Sequence, residues 1–499
     1  MARAMDGFEE RALAVLRTAL GRGAEFREQQ LEAIEAVVQH RRRLLVVQRT
    51  GWGKSAVYFV STKLLRDAGA GPSIIISPLL ALMRDQISAA ERLGLRADTI
   101  NSANKDDWNR VEKELLEGAI DLLLISPERL NNQDFRDRLL NPLTAAAGLL
   151  VVDEAHCISD WGHDFRPDYR RLVRVLELMP PTIPVLCTTA TANDRVINDI
   201  GQQLGSGLQV IRGSLDRESL SLHVLSIDSQ AERLAWLAHW IPQIQGCGII
   251  YCLTIADTLR VADWLNSKGV SAAAYSGDSD GDHRLEVERM LKANEVKVVA
   301  ATSALGMGFD KPDLAVIHYQ SPDSPVAYYQ QVGRAGRAVE HADVVLLVGH
   351  EDDDIWRYFL ENSLPVQWHA EAVVNALAET ADWVSPRQIE RSVNIKTGRL
   401  AGLLKILEIE GAVEKQGARF RRSLRPWTFD VERVERVRSA RLAEQQAMRE
   451  YADLDDCRMA FLRAALDDPS PAPCGRCDNC AGATYGIECA SLKWPHLEP

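Results

Sequence analysis

The chain has 499 residues, enough for three or four domains of roughly 100–200 residues each. Apolar residues make up 46% and charged residues 26%, ordinary for a globular protein with several cores, and no apolar run approaches the ~20 residues that span a bilayer. The net charge of −12 excludes an evenly basic coat for nucleic acid, but binding depends on local patches and not on the global sum.

Met1 to Glu10 holds no apolar run like that of a signal peptide, so a cytoplasmic location and no membrane partner are expected. From about residue 40 to 210, short apolar runs alternate with amphipathic stretches. Residues 44–47, 74–77, 122–125, 149–152 and 185–187 predict buried parallel strands with helices on both faces of the sheet. The pattern restarts after about Gly213, in 248–251, 272–275, 296–300, 316–318 and 344–348. Two α/β domains of similar size are therefore expected, over 1–212 and 213–363, without a tandem repeat.

From about Leu364 the character changes to helices and one hairpin. Ser385-Pro386-Arg387-Gln388 is a helix start, with a Ser cap, Pro in the first turn and Gln completing a capping box. A second helix carries Leu400, Leu403, Leu404 and Leu407 on one stripe and stops at Gly411. Residues 412–422 read as two short strands around Gln416-Gly417, so 364–430 has the pattern of a winged helix. Its hairpin is basic: Lys415, Arg419, Arg421, Arg422 and Arg425 occur with no acid among them, whereas acidic residues crowd at Glu351-Asp352-Asp353-Asp354. Strand alternation puts Arg419 and Arg421 on one face, where they would meet phosphates, with Arg422 opposite. The alternatives are a wing that packs on the rest of the protein, or a solvated edge charged against strand pairing.

A long charged helix is expected over about 431–451, and a cysteine cluster closes the chain over 431–499. Of nine cysteines, Cys157, Cys187, Cys247 and Cys252 sit in apolar contexts and read as buried thiols. Cys457, Cys474, Cys477 and Cys480 are spaced C-x₁₆-C-x₂-C-x₂-C, which suits tetrahedral Zn²⁺, with Gly475 permitting the tight turn. Four thiolates leave no open position, so the role is structural. Cys489 is a spare, either a free thiol or a replacement ligand.

Three stretches carry chemistry. Leu44-Leu45-Val46-Val47 runs into Gln48-Arg49-Thr50-Gly51-Trp52-Gly53-Lys54-Ser55 and then a helix. Thr50, Gly51, Trp52 and Gly53 would let backbone N–H groups reach phosphates, Lys54 would hold the β/γ-phosphates of ATP, and the Ser55 hydroxyl would hold Mg²⁺. The general phosphate loop has a further glycine where this chain has Gln48. Leu149-Leu150-Val151-Val152-Asp153-Glu154-Ala155-His156 delivers two carboxylates at a strand end: Asp153 for Mg²⁺ and Glu154 to orient and deprotonate the attacking water. In Gln330-Gln331-Val332-Gly333-Arg334-Ala335-Gly336-Arg337, Arg334 and Arg337 would act as arginine fingers once the two α/β domains close.

In this order the three signatures resemble superfamily 2 helicases, and within them the RecQ family of DNA helicases. Phe26-Arg27-Glu28-Gln29-Gln30 matches that family's first motif, which implies that Arg27 and Gln30 read adenine. The family usually has an aromatic just upstream to stack on the base; Gly21-Arg22-Gly23-Ala24-Glu25 offers none, which leaves stacking by Arg22 or a looser nucleotide selectivity. Ser77-Pro78-Leu79-Leu80-Ala81-Leu82-Met83-Arg84-Asp85-Gln86 matches the next motif. The most specific stretch, His156-Cys157-Ile158-Ser159-Asp160-Trp161-Gly162-His163-Asp164-Phe165-Arg166-Pro167-Asp168-Tyr169, resembles the family's aromatic-rich loop, which links single-strand contact to hydrolysis. There Trp161 and Phe165 would stack bases, with His163 and Arg166 beside them; the alternative for the aromatics is core packing. Thr189-Ala190-Thr191, Ile249-Ile250-Tyr251-Cys252 and residues 301–312, with Asp310 facing the nucleotide, complete the set.

The resemblance implies two RecA-like domains, followed here by the winged-helix-like segment and the helical zinc module. It also implies ATP with Mg²⁺, structural Zn²⁺, and ATP-driven 3′-to-5′ translocation on single-stranded DNA with duplex unwinding in repair or recombination. Tailed duplexes are then the substrates, a monomer the expected state, and single-strand-binding or repair proteins the partners in view. In RecQ proteins the zinc module usually precedes the winged helix. The reversed order here resembles the mycobacterial RecQ-like subgroup RqlH, and it removes the basis for transferring the family's strand-separating hairpin. Two rivals stay open: an RNA helicase built on the shared motor, and a DNA-binding scaffold that uses ATP only as a switch.

Overall fold

A computed structural model describes residues 7–77, 80–101, 104, 107–131, 135, 139–140, 143, 146–159, 176, 180–205, 207–305, 309, 311, 313–336, 339–380, 382–468 and 471–482. The first sheet contains β1 (Arg43–Val47), β2 (Ser73–Ile76), β3 (Ala97–Ile100), β4 (Leu122–Ile125), β5 (Leu149–Asp153), β6 (Val185–Thr189) and β7 (Leu208–Arg212). Their order is β3-β4-β2-β5-β6-β1-β7, and every pairing is parallel. The second sheet contains β8 (Leu220–Ser226), β9 (Cys247–Tyr251), β10 (Ala272–Tyr275), β11 (Val298–Ala301), β12 (Leu314–His318) and β13 (Ala342–Val348). It runs β10-β11-β9-β12-β13-β8, again all parallel.

Period-two alternation divides each sheet between two cores. Leu45, Val47, Ile74 and Ile76 pack into one cluster, while Leu44, Val46 and Ile75 pack into the cluster on the other face. Ile249, Tyr251 and Val299 separate from Ile250, Val298 and Ala300 in the same way. Central strands buried on both faces must be apolar at every position, which is why they read as continuous apolar runs.

Residues 367–422 form a small unit with its own core. Helices Gln367–Ala378, Pro386–Ser392 and Thr397–Ile409 enclose Leu377, Ile389, Leu400, Leu403, Leu404 and Leu407 with Val413 and Phe420. The capping box of Ser385 and Gln388 forms, and Gly411 takes the left-handed conformation (φ 77°) that ends the third helix. Strands β14 (Val413–Gln416) and β15 (Arg419–Arg422) pair antiparallel, and Val384 exchanges two backbone hydrogen bonds of 2.8 Å with Phe420. Helices followed by a hairpin in this arrangement form a winged helix.

Helix Val431–Ala452 then returns to the two α/β domains. Met448 and Tyr451 at its end, Met459, Leu462 and Leu466 after it, and Cys477 all join the cluster under the second sheet. The cysteine module therefore shares a core with the second α/β domain. The same helix reaches the first domain, where Glu444 pairs with Arg195 at 3.2 Å.

Candidate active site

The phosphate loop leaves the buried end of β1 and enters helix Lys54–Asp67. Gly51 and Gly53 have φ of 79° and 93°, and a Cβ on Gly53 would lie 2.7 Å from Gln30 Nε2. Only glycine fits there. The loop is braced by the segment before it. Gln30 Nε2 donates to Trp52 O (2.8 Å), Trp52 Nε1 donates to Glu28 O (3.1 Å), and the Arg27 guanidinium donates to Gly51 O. Gln48, in place of a glycine, donates to Gln29 Oε1 at 2.6 Å. Lys54 Nζ folds onto Gln48 O at 2.9 Å, at the head of the loop. Arg22, the candidate for base stacking, is exposed.

Asp153 ends β5, beside β6 and under the loop. Its carboxylate accepts from Thr188 Oγ1 (2.7 Å), from the Glu154 amide (3.1 Å) and from Gln86 Nε2 (3.4 Å). Gln86 also donates to the Tyr58 hydroxyl at 2.8 Å. Burial, helped by the adjacent Glu154 carboxylate, pushes the Asp153 carboxyl up to about 6, while Thr188 and Lys54 favour its ionised form. Glu154 holds a left-handed φ of 50°, which turns its carboxylate off the strand axis at a cost of ~1–2 kcal/mol. The fully buried His156 Nδ1 lies 3.4 Å from Glu154 Oε2 and 3.0 Å from Thr189 Oγ1. His156 thus bonds the strand end at Thr189 and stands beside the Glu154 carboxylate.

The arginine loop of the second domain meets this site directly. Thr50 Oγ1 donates to Gly333 O at 2.9 Å, and a Cβ on Gly333 would lie 2.6 Å from that same hydroxyl. Gly333 is thus the close-approach point between the domains. Arg334, next in sequence, is buried and lines a cavity of about 470 Å³ with Gln330, Thr302 and Tyr251. Arg337 and Asp310 lie outside the described residues, as do Trp161, His163, Phe165, Arg166 and Cys489.

Arg27 and Gln30 thus meet the loop of Thr50, Gly51, Trp52, Gly53, Lys54 and Ser55, with Asp153 and Glu154 at the neighbouring strand end; across the interface Gly333 touches Thr50, while the Arg334 side chain lines a cavity of second-domain residues. Two arginines that sequence reasoning did not single out also belong here. Arg217, in the linker between the sheets, donates to Thr50 Oγ1 (2.9 Å) and to Gly333 O (3.0 Å). Arg476, inside the cysteine turn, holds that linker. Neither carries a spacing signal, because their partners are mostly backbone carbonyls.

The Sγ atoms of Cys457, Cys474, Cys477 and Cys480 all lie within 4.8 Å of one another. Backbone N–H groups aim at them: Cys474 N lies 3.1 Å from Cys457 Sγ, and Cys477 N lies 3.4 Å from Cys474 Sγ. Four converging sulfurs with amide donors are the donor set of a closed Zn²⁺ site. Gly475, at φ 72°, makes the turn. Cys157, Cys187, Cys247 and Cys252 are buried thiols.

On the wing, Arg419 and Arg421 are exposed on one strand face, while Arg422 turns inward and donates to Ala412 O at 2.6 Å. Arg421 is not free for a ligand alone: it pairs with Glu414 at 2.6 Å and lies 4.5 Å over the Trp383 ring. No helix of the described residues is long and apolar enough to cross a membrane.

Residues 27–200 match the DEAD/DEAH box helicase family, 232–339 the helicase conserved C-terminal domain, and 415–481 the RecQ zinc-binding family. The chain is 31% identical over 478 residues to an ATP-dependent DNA helicase RecQ of Synechocystis, covering 91% of this chain and 95% of that one. It is 35% identical over 344 residues to the protein of the same name from Bacillus subtilis, covering 68% of this chain but only 56% of that one. The fold is similar to that of the Mycobacterium smegmatis helicase Lhr bound to single-stranded DNA and AMP-PNP, with a TM-score of 0.57 at 16% identity, over 82% of this chain and 60% of that one.

Proposed function

The chain belongs to the RecQ family of superfamily 2 helicases, and from that membership we propose that it is an ATP-dependent DNA helicase, moving 3′ to 5′ on single-stranded DNA and unwinding duplexes in repair or recombination. The observation that carries the reading is the contact of Gly333 O with Thr50 Oγ1 at 2.9 Å, because it sets the arginine loop of one domain on the phosphate loop of the other. Hydrolysis at such a junction can be read out as relative movement of the two sheets.

Each residue then has a role. Gly51 and Gly53 bare the loop amides for phosphate oxygens, and Lys54 leaves Gln48 O to meet the β/γ-phosphates. Mg²⁺, held by Ser55 and Asp153, would neutralise charge between those phosphates. Glu154 orients the attacking water and takes its proton, with His156 beside the carboxylate. Arg334 and Arg337 stabilise the charge that develops at the transferred phosphoryl group. Arg27 and Gln30 join adenine recognition to the phosphate loop, since both already touch its carbonyls. Asp310 is assigned to nucleotide binding by the family motif it stands in. Trp161, His163, Phe165 and Arg166 take the single strand by stacking and phosphate contact, and Arg419 with Arg421 hold the duplex.

The reading is tested by strand separation on 3′-tailed, 5′-tailed and blunt duplexes, with ATPase stimulation by single-stranded DNA and RNA measured alongside. Unwinding of the 3′-tailed duplex and preference for DNA are expected. Stimulation by RNA alone, or nucleotide binding without turnover, would replace it with one of the two rivals.

A further inference from the structure

The linker between the sheets carries a buried cation that touches both halves of the ATP site. Arg217 is 3% exposed. One of its amino groups donates to Thr50 Oγ1 at 2.9 Å and Gly333 O at 3.0 Å; the other donates to Ala335 O at 2.7 Å and Gly336 O at 3.3 Å. A planar fork thus gathers three carbonyls of the arginine loop and the hydroxyl of the phosphate loop. A lysine has no such fork. Ser219 adds a fifth tie, donating to Gly336 O at 2.8 Å.

The linker is in turn fixed from the cysteine turn. Arg476 Nη2 reaches Asp216 Oδ1 at 2.6 Å and Arg217 O at 2.8 Å, and its Nε reaches Leu220 O at 3.0 Å. Arg476 lies between Cys474 and Cys477, and its own amide points at Cys474 Sγ at 3.5 Å. A second hold comes from Asp468, which accepts from the Leu215 amide at 2.9 Å and pairs with Arg463. A continuous path of polar contacts therefore joins the cysteine turn to the ATP site: Arg476, then Asp216 and the Arg217 backbone, then the Arg217 side chain, then Thr50 and Gly333.

We propose that Arg217 is a positioning residue for ATP hydrolysis, holding the arginine loop against the phosphate loop, and that Arg476 of the cysteine turn sets its position. The inference rests on the helicase reading above. On this view the cysteine turn does more than hold its own module together: it fixes the linker and, through it, the distance between the domains where Arg334 must act. Arg217 acts through the two loops that it holds together.

The test uses the full chain with Arg217→Ala, Arg217→Lys and Arg476→Ala. Hydrogen exchange is followed at residues 48–53 and 333–336, together with zinc content and the kinetics of DNA-stimulated ATPase. For Arg217→Ala we expect exchange at 333–336 to rise at least tenfold. We also expect kcat to fall at least tenfold with KM for ATP within threefold, and Arg217→Lys to recover part of both. Arg476→Ala should keep the parent zinc content and shift exchange and kcat in the same direction. Exchange at 333–336 as in the parent, in either alanine variant, overturns the proposal; so does a loss confined to KM. Should Arg217→Ala fail to fold, Arg476→Ala, on a half-buried side chain, decides by the same readouts. A parent chain without ATPase refutes the helicase reading, and the exchange data then judge by themselves whether Arg217 holds the two loops together.

Discussion

At the scale of single residues, the site was legible where chemistry dictates the residue type. Lys54, Asp153 and Glu154 cannot be replaced by residues of other kinds and still bind phosphate, metal and water, so their identities announce them. Arg217 acts on backbone carbonyls, which every sequence has, and nothing in its flanks marks it. Asp153 shows what such a site costs the fold. Burial and Glu154 raise its carboxyl to about 6, so ionising it disfavours the folded state. The sign is that of a raised acid: the penalty is absent where both states are protonated, grows as pH rises past the ordinary carboxylate range, and is full above about 6. Asp153→Asn should therefore stabilise the protein in chelator at pH 7.5 by ~1–3 kcal/mol, and the gain should shrink as pH falls below 6. Denaturant titrations across that range check it; a gain that grows on acidification would mean the carboxylate is stabilised where it sits. Glu154→Gln should cut turnover by ~10²-fold or more yet leave nucleotide affinity close to the parent, because it removes a base and not a phosphate or metal contact. Fluorescent-nucleotide binding beside steady-state ATPase separates the two, and parent-like turnover would reject the assignment.

At the scale of elements, the strands that the sequence showed are the central ones, together with β10, and those it hid are edges. β3, β7 and β8 each close a side of a sheet; β3 and β7 carry mostly exposed or half-buried positions, as in the Leu208–Arg212 pattern of one buried residue among five, while in the mostly buried β8 the polar Ser221 and His223 interrupt the apolar run. An edge strand covers less core, so it needs fewer apolar residues and loses the continuous run that betrays a central strand. The hairpin was legible because alternation in Arg419-Phe420-Arg421-Arg422 and the glycine turn act locally. What alternation could not show is that Arg421 is engaged by Glu414 and Trp383. The exposed Arg419 should then carry more of any phosphate contact than Arg421. Arg419→Ala with Arg421→Ala should weaken duplex binding more than single-strand binding and lower the salt slope by about 1–2, with Arg419→Ala alone giving the larger share. ATPase on a short single strand should stay near the parent value, since that path runs through the two sheets. Duplex affinities over a salt series test this, and overlapping curves for parent and double variant would leave the wing a packing or edge-protecting role.

At the scale of the whole molecule, the cysteine module does not stand apart from the second domain but shares its core. Its helix Arg458–Ala465 and the end of the long helix lie in one apolar cluster with Tyr328, Tyr329 and Val332, which precede the arginine loop. The Tyr328 and Tyr451 rings stand 5.2 Å apart. Asp478, next to Cys477, pairs with the buried Arg458 at 2.6 Å and accepts from the Val224 amide of β8 at 2.9 Å, so the turn caps an open sheet edge. Cysteine module and second domain share one core and should therefore unfold together, whereas the wing encloses its own core and the first domain touches the module through few side chains. Loss of zinc, by chelation or by Cys477→Ser, should lower the unfolding temperature of the second domain and not merely fray the C-terminus. A loss of only ~3 kcal/mol would shift a domain of this size by ~6–12 °C. Hydrogen exchange should rise in β8, β12 and helix Pro325–Val332 while β4, β5 and the wing keep their protection. Exchange that rises only after Tyr451, with β8 and β12 unchanged, would show that the metal supports its own turn alone, and that the shared core holds without it.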